Sequence, residues 1–425
     1  GIRDLVAHEK AGDRIVQELV EHASAQMANN GLPGELIVFK NNVDHFGTTY
    51  GSHENYLVTP RAMDRIHLIV PFLVTRQIFA GAGKMVTGKR AAGSPYRLTQ
   101  RADFIDRVFS DRTSRIRGII NLRKREVPRQ GQNRRLHILV GDSNMSESAI
   151  GLKNGTTGLV LRLLEEDGLN NLPLLAAPVD AIKAISRRLD RPLPLEGRKA
   201  SLSALDIQTI YLERVLAFYS SRENDPYDRE IIELWTRALK GLKDLKVAWT
   251  TGVLEDDPGD LKRKLDWLLK LWLISRIRDK TGIQSHDWRL KLLDVGYHDL
   301  SPSGSLFERC VALNEADRMI EEAEIRKAQT DPPSNTRAWT RGMIIQCATG
   351  KGVEVLVDNW EKVTIIAKPQ GRSVVHPFDR QRRMINRLKI QLENPLMSQD
   401  ASVLQQVESF VQTWGGQRAI PIGEQ

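Results

Sequence analysis

The stretch YGSHENYLV, residues 50–58, sets a histidine, a glutamate and an asparagine side by side just ahead of the aromatic and apolar YLV. Such a run reads as a β-strand, and in a strand alternate side chains share a face. His53, Asn55 and Leu57 therefore point one way, and Glu54, Tyr56 and Val58 the other. Residues 135–147, RLHILVGDSNMSE, repeat the construction. There His137, Leu139, Gly141 and Ser143 share a face opposite Ile138, Val140 and Asp142. Two polar strands, each with a histidine beside amide or hydroxyl groups, suit a face that holds a metal ion and a polyphosphate. Imidazole ligates the metal, while amides and hydroxyls donate to oxygens. The same residues suit two hydrogen-bonded packing histidines, and spacing alone leaves both readings open.

Outward from this pair, ELIVFK (35–40) and IRGIIN (116–121) read as further strands, with a basic loop at 122–134. Residues 3–29 place Leu5, Val6, Ile15, Val16, Leu19 and Val20 at helical spacing and end on NNGLPG, a stop signal. Residues 61–79 are helix-like, and from 146 to about 327 the pattern is mostly helical. TDPPSNTR (330–337) is a proline-rich break. Beyond it MIIQC, VEVLV and KVTIIAK read as strands and 378–392 as a helix. The polar tail from 394 carries a short amphipathic helix through Val403, Leu404, Val407, Phe410, Val411 and Trp414. Strands first and helices afterwards predict an α+β class, an antiparallel sheet with helices on one face. The expected domains are 1–329, a small one at 330–393, and the tail 394–425.

With 425 residues, 41% hydrophobic and 27% charged, the composition is that of a globular protein. No apolar run approaches the roughly 20 residues of a membrane helix. Two cysteines, Cys310 and Cys347, are too few for a disulfide framework or a zinc site, so the cytoplasm is the expected compartment. The net charge of +9 favours an acidic partner. Arginines and a lysine crowd the stretch from Arg112 to Arg135, but no aromatic residue interleaves them and no nucleic-acid-binding signature occurs.

GAGK (81–84) lacks the Walker spacing, since Met85 follows Lys84. Arg97 and Arg101 lie in PYRLTQRADF, and Arg101 suits phosphate if it points into a cleft, because guanidinium grips oxygens bidentately. No G-x-S-x-G elbow is present. His298, beside Asp299, reads as a packing polar group.

Taken together, FKNNVDHFGTTYGSHENYLV, PFLVTRQIFAGAGK, RLTQRAD, RGIIN, RRLHILVGDSNMSE and LKNGTTGLVL resemble one family closely. It is the Pup ligase and depupylase family, and the resemblance runs from residue 3 to about 390. It implies a glutamine synthetase-like fold: a curved antiparallel sheet backed by helices, with a small C-terminal domain. It also implies ATP and Mg²⁺ in the concave cradle. In the family, the ligase phosphorylates the C-terminal glutamate of Pup, and a substrate lysine displaces the phosphate. The depupylase hydrolyses the same isopeptide bond. The implied partners are an acidic Pup-like protein, substrate lysines and, indirectly, the proteasome, with no nucleic acid or membrane. By motif match His53 and His137 would line the metal–nucleotide site and Arg101 would contact phosphate. Asn55, Ser143 and Asn144 are further candidates.

Two departures accompany the resemblance. The family's Glu-x-Glu metal strand and the strand with its essential aspartate are expected upstream of Gly1, so a chain beginning there is expected to show little activity. Relatives carry an acidic segment after IIN, where this chain has LRKREVPRQGQ (122–132). VTRQ, GAGK, VGDSNMSE and HPFDRQRRMINRL resemble the ligase, whereas KNNVD, GSHENYL, RGIIN and IYLERV resemble the depupylase. The expected activity is that of the ligase, with the depupylase and a non-catalytic Pup-binding module as alternatives.

Overall fold

The computed structural model describes residues 1–44, 46–86, 94–112, 116–122, 133–220, 222, 225–284, 287–301, 303–359, 362–367, 386–392 and 400–414. The chain divides into two compact units, Gly1–Glu321 and Glu322–Gln425.

The first unit opens with α1 (Ile2–Asn29). After β1 (Glu54–Val58) come α2 (Pro60–Asp64), a 3-10 turn (Ile66–Ile69), α3 (Val70–Thr75) and α4 (Gln77–Ala80). β2 (Lys84–Met85) pairs with β3 (Tyr96–Arg97). β4 (Arg107–Ser110), β5 (Gly118–Asn121) and β6 (Arg134–Ile138) join β1 in a sheet of order β1-β6-β5-β4. Then follow α5 (Glu147–Glu165), α6 (Pro178–Arg187), the ribbon β7 (Leu193–Pro194) and β8 (Ser201–Leu202), α7 (Ala204–Tyr219) and α8 (Pro226–Asp244). The ribbon β9 (Val247–Ala248) and β10 (Val253–Leu254) precedes α9 (Asp266–Thr281), α10 (Trp288–Gly296) and α11 (Leu306–Ala312). The second unit holds α12 (Glu322–Thr330), α13 (Arg337–Ala348), β11 (Val353–Val357), β12 (Lys362–Ala367), β13 (Asn386–Gln391) and α14 (Ala401–Trp414).

The sheet presents its apolar side to the helices. Val58, Ile120, Leu136 and Ile138 are buried in one cluster with Phe72 and Leu73 of α3 and Leu152 and Leu159 of α5. At about 25 cal/mol per Å² of apolar surface, this cluster is the main source of stability. α5 is the central pin. Ser146 caps it, accepting from the Ala149 N–H at 3.3 Å, and Glu147 in its first turn accepts from the N–H groups of Met319 and Ile320. Its glycines let neighbours approach: a Cβ at Gly155 would stand 2.8 Å from Ile231 of α8, and one at Gly151 3.0 Å from the Met319 sulfur.

The mixed α+β architecture agrees with the sequence, and several local expectations do not. β1–β6 and β5–β6 are antiparallel, but β4 pairs with β5 in parallel. Residues 35–40 are not a buried strand. Leu36, Ile37, Val38 and Phe39 are partly exposed, and the run is held by the bridge of Phe39 to Asp299, two flanking backbone bonds and the ion pairs of Lys40 with Glu9 and Asp13. An apolar run becomes a buried strand only where both faces are covered. The helix expected at 61–79 is broken into pieces, and Pro71, which supplies no N–H to the preceding turn, stands at the start of one of them, α3. MIIQC lies in α13, where Ile344 and Ala348 share the buried helical face, so the helical period prevails over β-branching. Residues 386–391 of the expected 378–392 helix form β13, because Leu388 and Ile390 alternate against β12; 378–385 lie outside the described residues. So do 123–132 of the basic loop.

In the second unit, Ile344, Val363, Ile365, Ile390, Val407 and Val411 form a separate core, to which α14 contributes Val407 and Val411. Among the described residues no helix is long and apolar enough to cross a membrane.

Candidate functional site

The alternation read from SHENYLV holds. Glu54 and Val58 are buried, Tyr56 is half-buried, and His53, Asn55 and Leu57 are exposed. Glu54 belongs to the helix side. Its carboxylate accepts from both terminal nitrogens of Arg76 and from the Tyr56 hydroxyl at 2.7 Å. Burial works against the Glu54 charge, but Arg76, then Lys153 and Tyr56, outweigh it and hold the carboxyl below its ordinary range. A buried ion pair with this many hydrogen bonds is a structural device, so the middle residue of the triplet is not a ligand in waiting.

The opposite face gathers the histidines. Asn55 stands opposite His137 in the β1–β6 register, and Asn121 stands opposite it from β5. The His53 and His137 rings meet edge to face with 4.9 Å between centroids. Gly51 makes this possible, since a Cβ there would stand 2.2 Å from His53 Nε2. Asn121 donates from Nδ2 to the Arg112 carbonyl at 3.1 Å, while among the described residues its buried Oδ1 has no partner. The Arg135 guanidinium reaches 3.5 Å from His137 Nδ1.

Arg101 lies where β6 ends. It is 2% exposed, and Nη1 donates to the Leu139 carbonyl. Among the described residues its Nε has no partner and Arg101 forms no ion pair. Burial lowers its pKa, Asp142 opposes that, and Arg117 adds to it. A buried guanidinium that retains its charge with no carboxylate in contact is suited to an anionic ligand.

Two other candidates take part in the scaffold, Asn144 through its side-chain NH2 and Ser143 through its backbone N–H. Asn144 is fully buried and donates to the Ala80 carbonyl and to Asp266, which also accepts from the N–H groups of Met145 and Ser146 and from the Tyr297 hydroxyl. Its amide thus fastens the start of α5 to α9. The Ser143 N–H donates to Asn42 Oδ1 at 2.7 Å, which ties the segment before β1 to the end of β6.

GAGK also serves the scaffold. Gly83 has φ +66°, and Lys84 donates to the Gln100 carbonyl at 2.8 Å. Gln100, Lys270 and His298 make a buried knot behind it. His298 Nε2 accepts from Gln100 Nε2 at 2.9 Å and from Lys270 Nζ at 2.8 Å, and Lys270 also binds Asp294 and the Gly83 carbonyl. Asp142, Gln100, Asn42 and Asn121 were not singled out in the sequence, although each sits in a quoted motif. Only β-sheet register and loop packing reveal what they touch.

Magnesium prefers several oxygen donors in octahedral array. Among the described residues no group of three or more His, Cys, Asp or Glu side chains converges to hold a metal. Two imidazoles in edge-to-face contact with asparagines beside them do not fit such a site by themselves.

The family model described as Pup-ligase protein matches residues 1–364. A Pup–protein ligase of Nakamurella multipartita is 37% identical over 364 residues, covering 83% of this chain and 76% of the relative. A depupylase of Acidothermus cellulolyticus is 36% identical over 370 residues, covering 85% of this chain and 69% of the relative. Among solved structures, the Pup ligase PafA in complex with ADP matches with a TM-score of 0.82 at 29% identity, over 98% of this chain and 85% of that one. The complex between Pup and PafA matches with a TM-score of 0.82 at 28% identity, over 98% of this chain and 79% of that one. On the strength of a family match across most of its length, the chain belongs to the Pup-ligase family.

Proposed function

We propose that the chain is an ATP-dependent Pup ligase, joining the C-terminal glutamate of a Pup-like protein to substrate lysines through an acyl phosphate. The observation that carries this reading is Arg101, a buried guanidinium without an ion pair among the described residues, which grips the Leu139 carbonyl two residues beyond His137. It is supported by relatives named Pup–protein ligase and by the likeness to a ligase solved with ADP and with Pup.

A carboxylate is a poor electrophile, and phosphorylation gives it a good leaving group. Phosphoryl transfer between two anions needs fixed positive charge aimed at the transferring group. Arg101 supplies such a charge, and His137, with its neighbours Asn55 and Asn121, supplies polar contacts for the nucleotide beside it. His53 closes one side of that face. Because the described residues do not fit magnesium on their own, no step is assigned to it. The net charge of +9 favours an acidic partner. Delivery of the conjugate to a proteasome is the expected downstream fate.

A second reading, the depupylase, is favoured by the relative bearing that name. Incubation with Pup ending in glutamate, ATP and a lysine-bearing substrate is expected to yield a conjugate. Release of free Pup from a preformed conjugate, with no net conjugation, would replace the ligase by the depupylase.

A further inference from the structure

Asp142 is 2% exposed, and its carboxylate is engaged by four donors. Oδ2 accepts from the N–H groups of Ala82 and Gln100, both at 2.9 Å. Oδ1 accepts from the Thr99 hydroxyl at 2.8 Å and the Arg101 N–H at 3.2 Å. The Thr99 hydroxyl oxygen accepts in turn from the Arg101 N–H at 3.1 Å. Three consecutive residues, 99–101, are thus gathered on one carboxylate. The same loop is gripped from its other side, where Lys84 takes the Gln100 carbonyl and the Gln100 amide is sunk against His298. Two of these anchors hold Gln100, while Asp142 reaches Arg101 itself.

We propose that Asp142 is a positioning residue for the Arg101 guanidinium, fixing the Thr99–Arg101 backbone so that the cation stands where phosphate is bound. This rests on the reading that the Arg101 face takes the nucleotide. Acceptor-only chemistry is what the role demands: a carboxylate offers about four lone-pair sites and no donor. An asparagine would turn an NH2 group toward two of the four donors, so Asp142→Asn keeps the volume and dislodges the loop. Hydrogen bonds to an ionised acceptor are about twice as strong as neutral ones, which suits a loop that must not shift when an anion arrives.

The test is a double-mutant cycle on the full chain, reading the dissociation constant for ATP by calorimetry and the KM for ATP against kcat. Arg101→Met is expected to weaken ATP binding at least tenfold, and Asp142→Asn to do so by a similar factor. In the Arg101→Met background, Asp142→Asn is expected to add less than twofold, because the guanidinium it places is gone. A purely structural Asp142 would give the same factor in both backgrounds, and that additivity overturns the proposal. If Arg101→Met leaves ATP affinity unchanged, the nucleotide reading of this face is what fails, and the positioning role falls with it. Thr99→Val removes one donor to Asp142 and one acceptor for the Arg101 N–H without introducing a new group. Should Asp142→Asn not fold, the same cycle run with Thr99→Val decides: coupling to Arg101 upholds the proposal and additivity overturns it.

Discussion

The rings of His53 and His137 touch edge to face, 4.9 Å apart, although 84 positions of sequence separate them. His137 is nearly buried between two asparagine-bearing strands, whereas His53 is exposed. His137→Ala is therefore expected to weaken ATP binding about tenfold, a loss of about 1.4 kcal/mol. His53→Ala is expected to weaken it less and to leave the melting temperature unchanged. Calorimetric titration of each variant with ATP checks this, and unchanged affinity in both would remove the histidines from the site.

The Glu54–Arg76 pair sits beneath that face, with side-chain exposures of 4% and 2%. Removing either partner leaves an uncompensated buried charge, so Arg76→Met is expected to cost about 3–5 kcal/mol. Glu54 has a folded-state pKa below its ordinary 4.5. Its contribution is therefore fully present above about pH 4.5 and is lost as pH falls through the lower folded value. Urea unfolding of the wild type at pH 7 and pH 4 should show the loss, and in Arg76→Met the loss should shrink.

His298 adds acid sensitivity of the same sign at higher pH, from a base kept neutral rather than an acid kept charged. Burial, then Lys270 and Lys40, hold its pKa well below the usual 6.5, so the folded protein keeps it neutral. Protonation is easier in the unfolded chain. Stability is therefore full above about pH 6.5 and declines as pH falls below it. Among the described residues the ring meets Lys270 and Gln100 at Nε2 and the edge of Tyr297, with the Lys40 charge acting on it from further off and no carboxylate in contact. His298→Asn should flatten the unfolding free energy between pH 7.5 and 5.5, while costing about 1–3 kcal/mol at the upper end from donors left unpaired. A slope that survives the substitution would place the titrating group elsewhere.

Gly83→Ala tests the packing beneath the site. The backbone is left-handed there, and a Cβ would stand 2.1 Å from the Tyr96 hydroxyl, which itself donates to the Trp267 carbonyl at 2.7 Å. Strain and overpacking together are expected to cost roughly 2–4 kcal/mol. Thermal unfolding should show a clear fall in midpoint, partly restored by Tyr96→Phe.

How much of this was legible beforehand follows a physical line. Face alternation in β1 and β6 was readable because a period of two is local, and it separated Glu54 from its neighbours before any contact was known. The helices of 146–327 were readable for the same reason, since amphipathic spacing is written within each segment. MIIQC, expected as a strand, and residues 386–391 of the expected 378–392 helix defeat a local reading because short apolar runs carry both periods, and only the partner, β12 in one case, settles which is used. β4 escaped notice since four residues pair in parallel at a sheet edge without a strong apolar pattern. Asp142 and Asn121 stayed silent because their importance lies in what crosses to them from distant loops.

The three glycines of α5, at 151, 155 and 158, have a consequence for how the first unit comes apart. Each costs a helix about 1 kcal/mol relative to alanine, so this 19-residue segment has little tendency to be helical alone. Its helicity is lent by the elements around it, with α8 pressing close at Gly155. Order in α5 and in its neighbours therefore rises and falls as one event. Amide hydrogen exchange at Leu152 and Val160 should share a single opening free energy with Trp235 of α8, and fraying of α8 should never be seen with α5 intact.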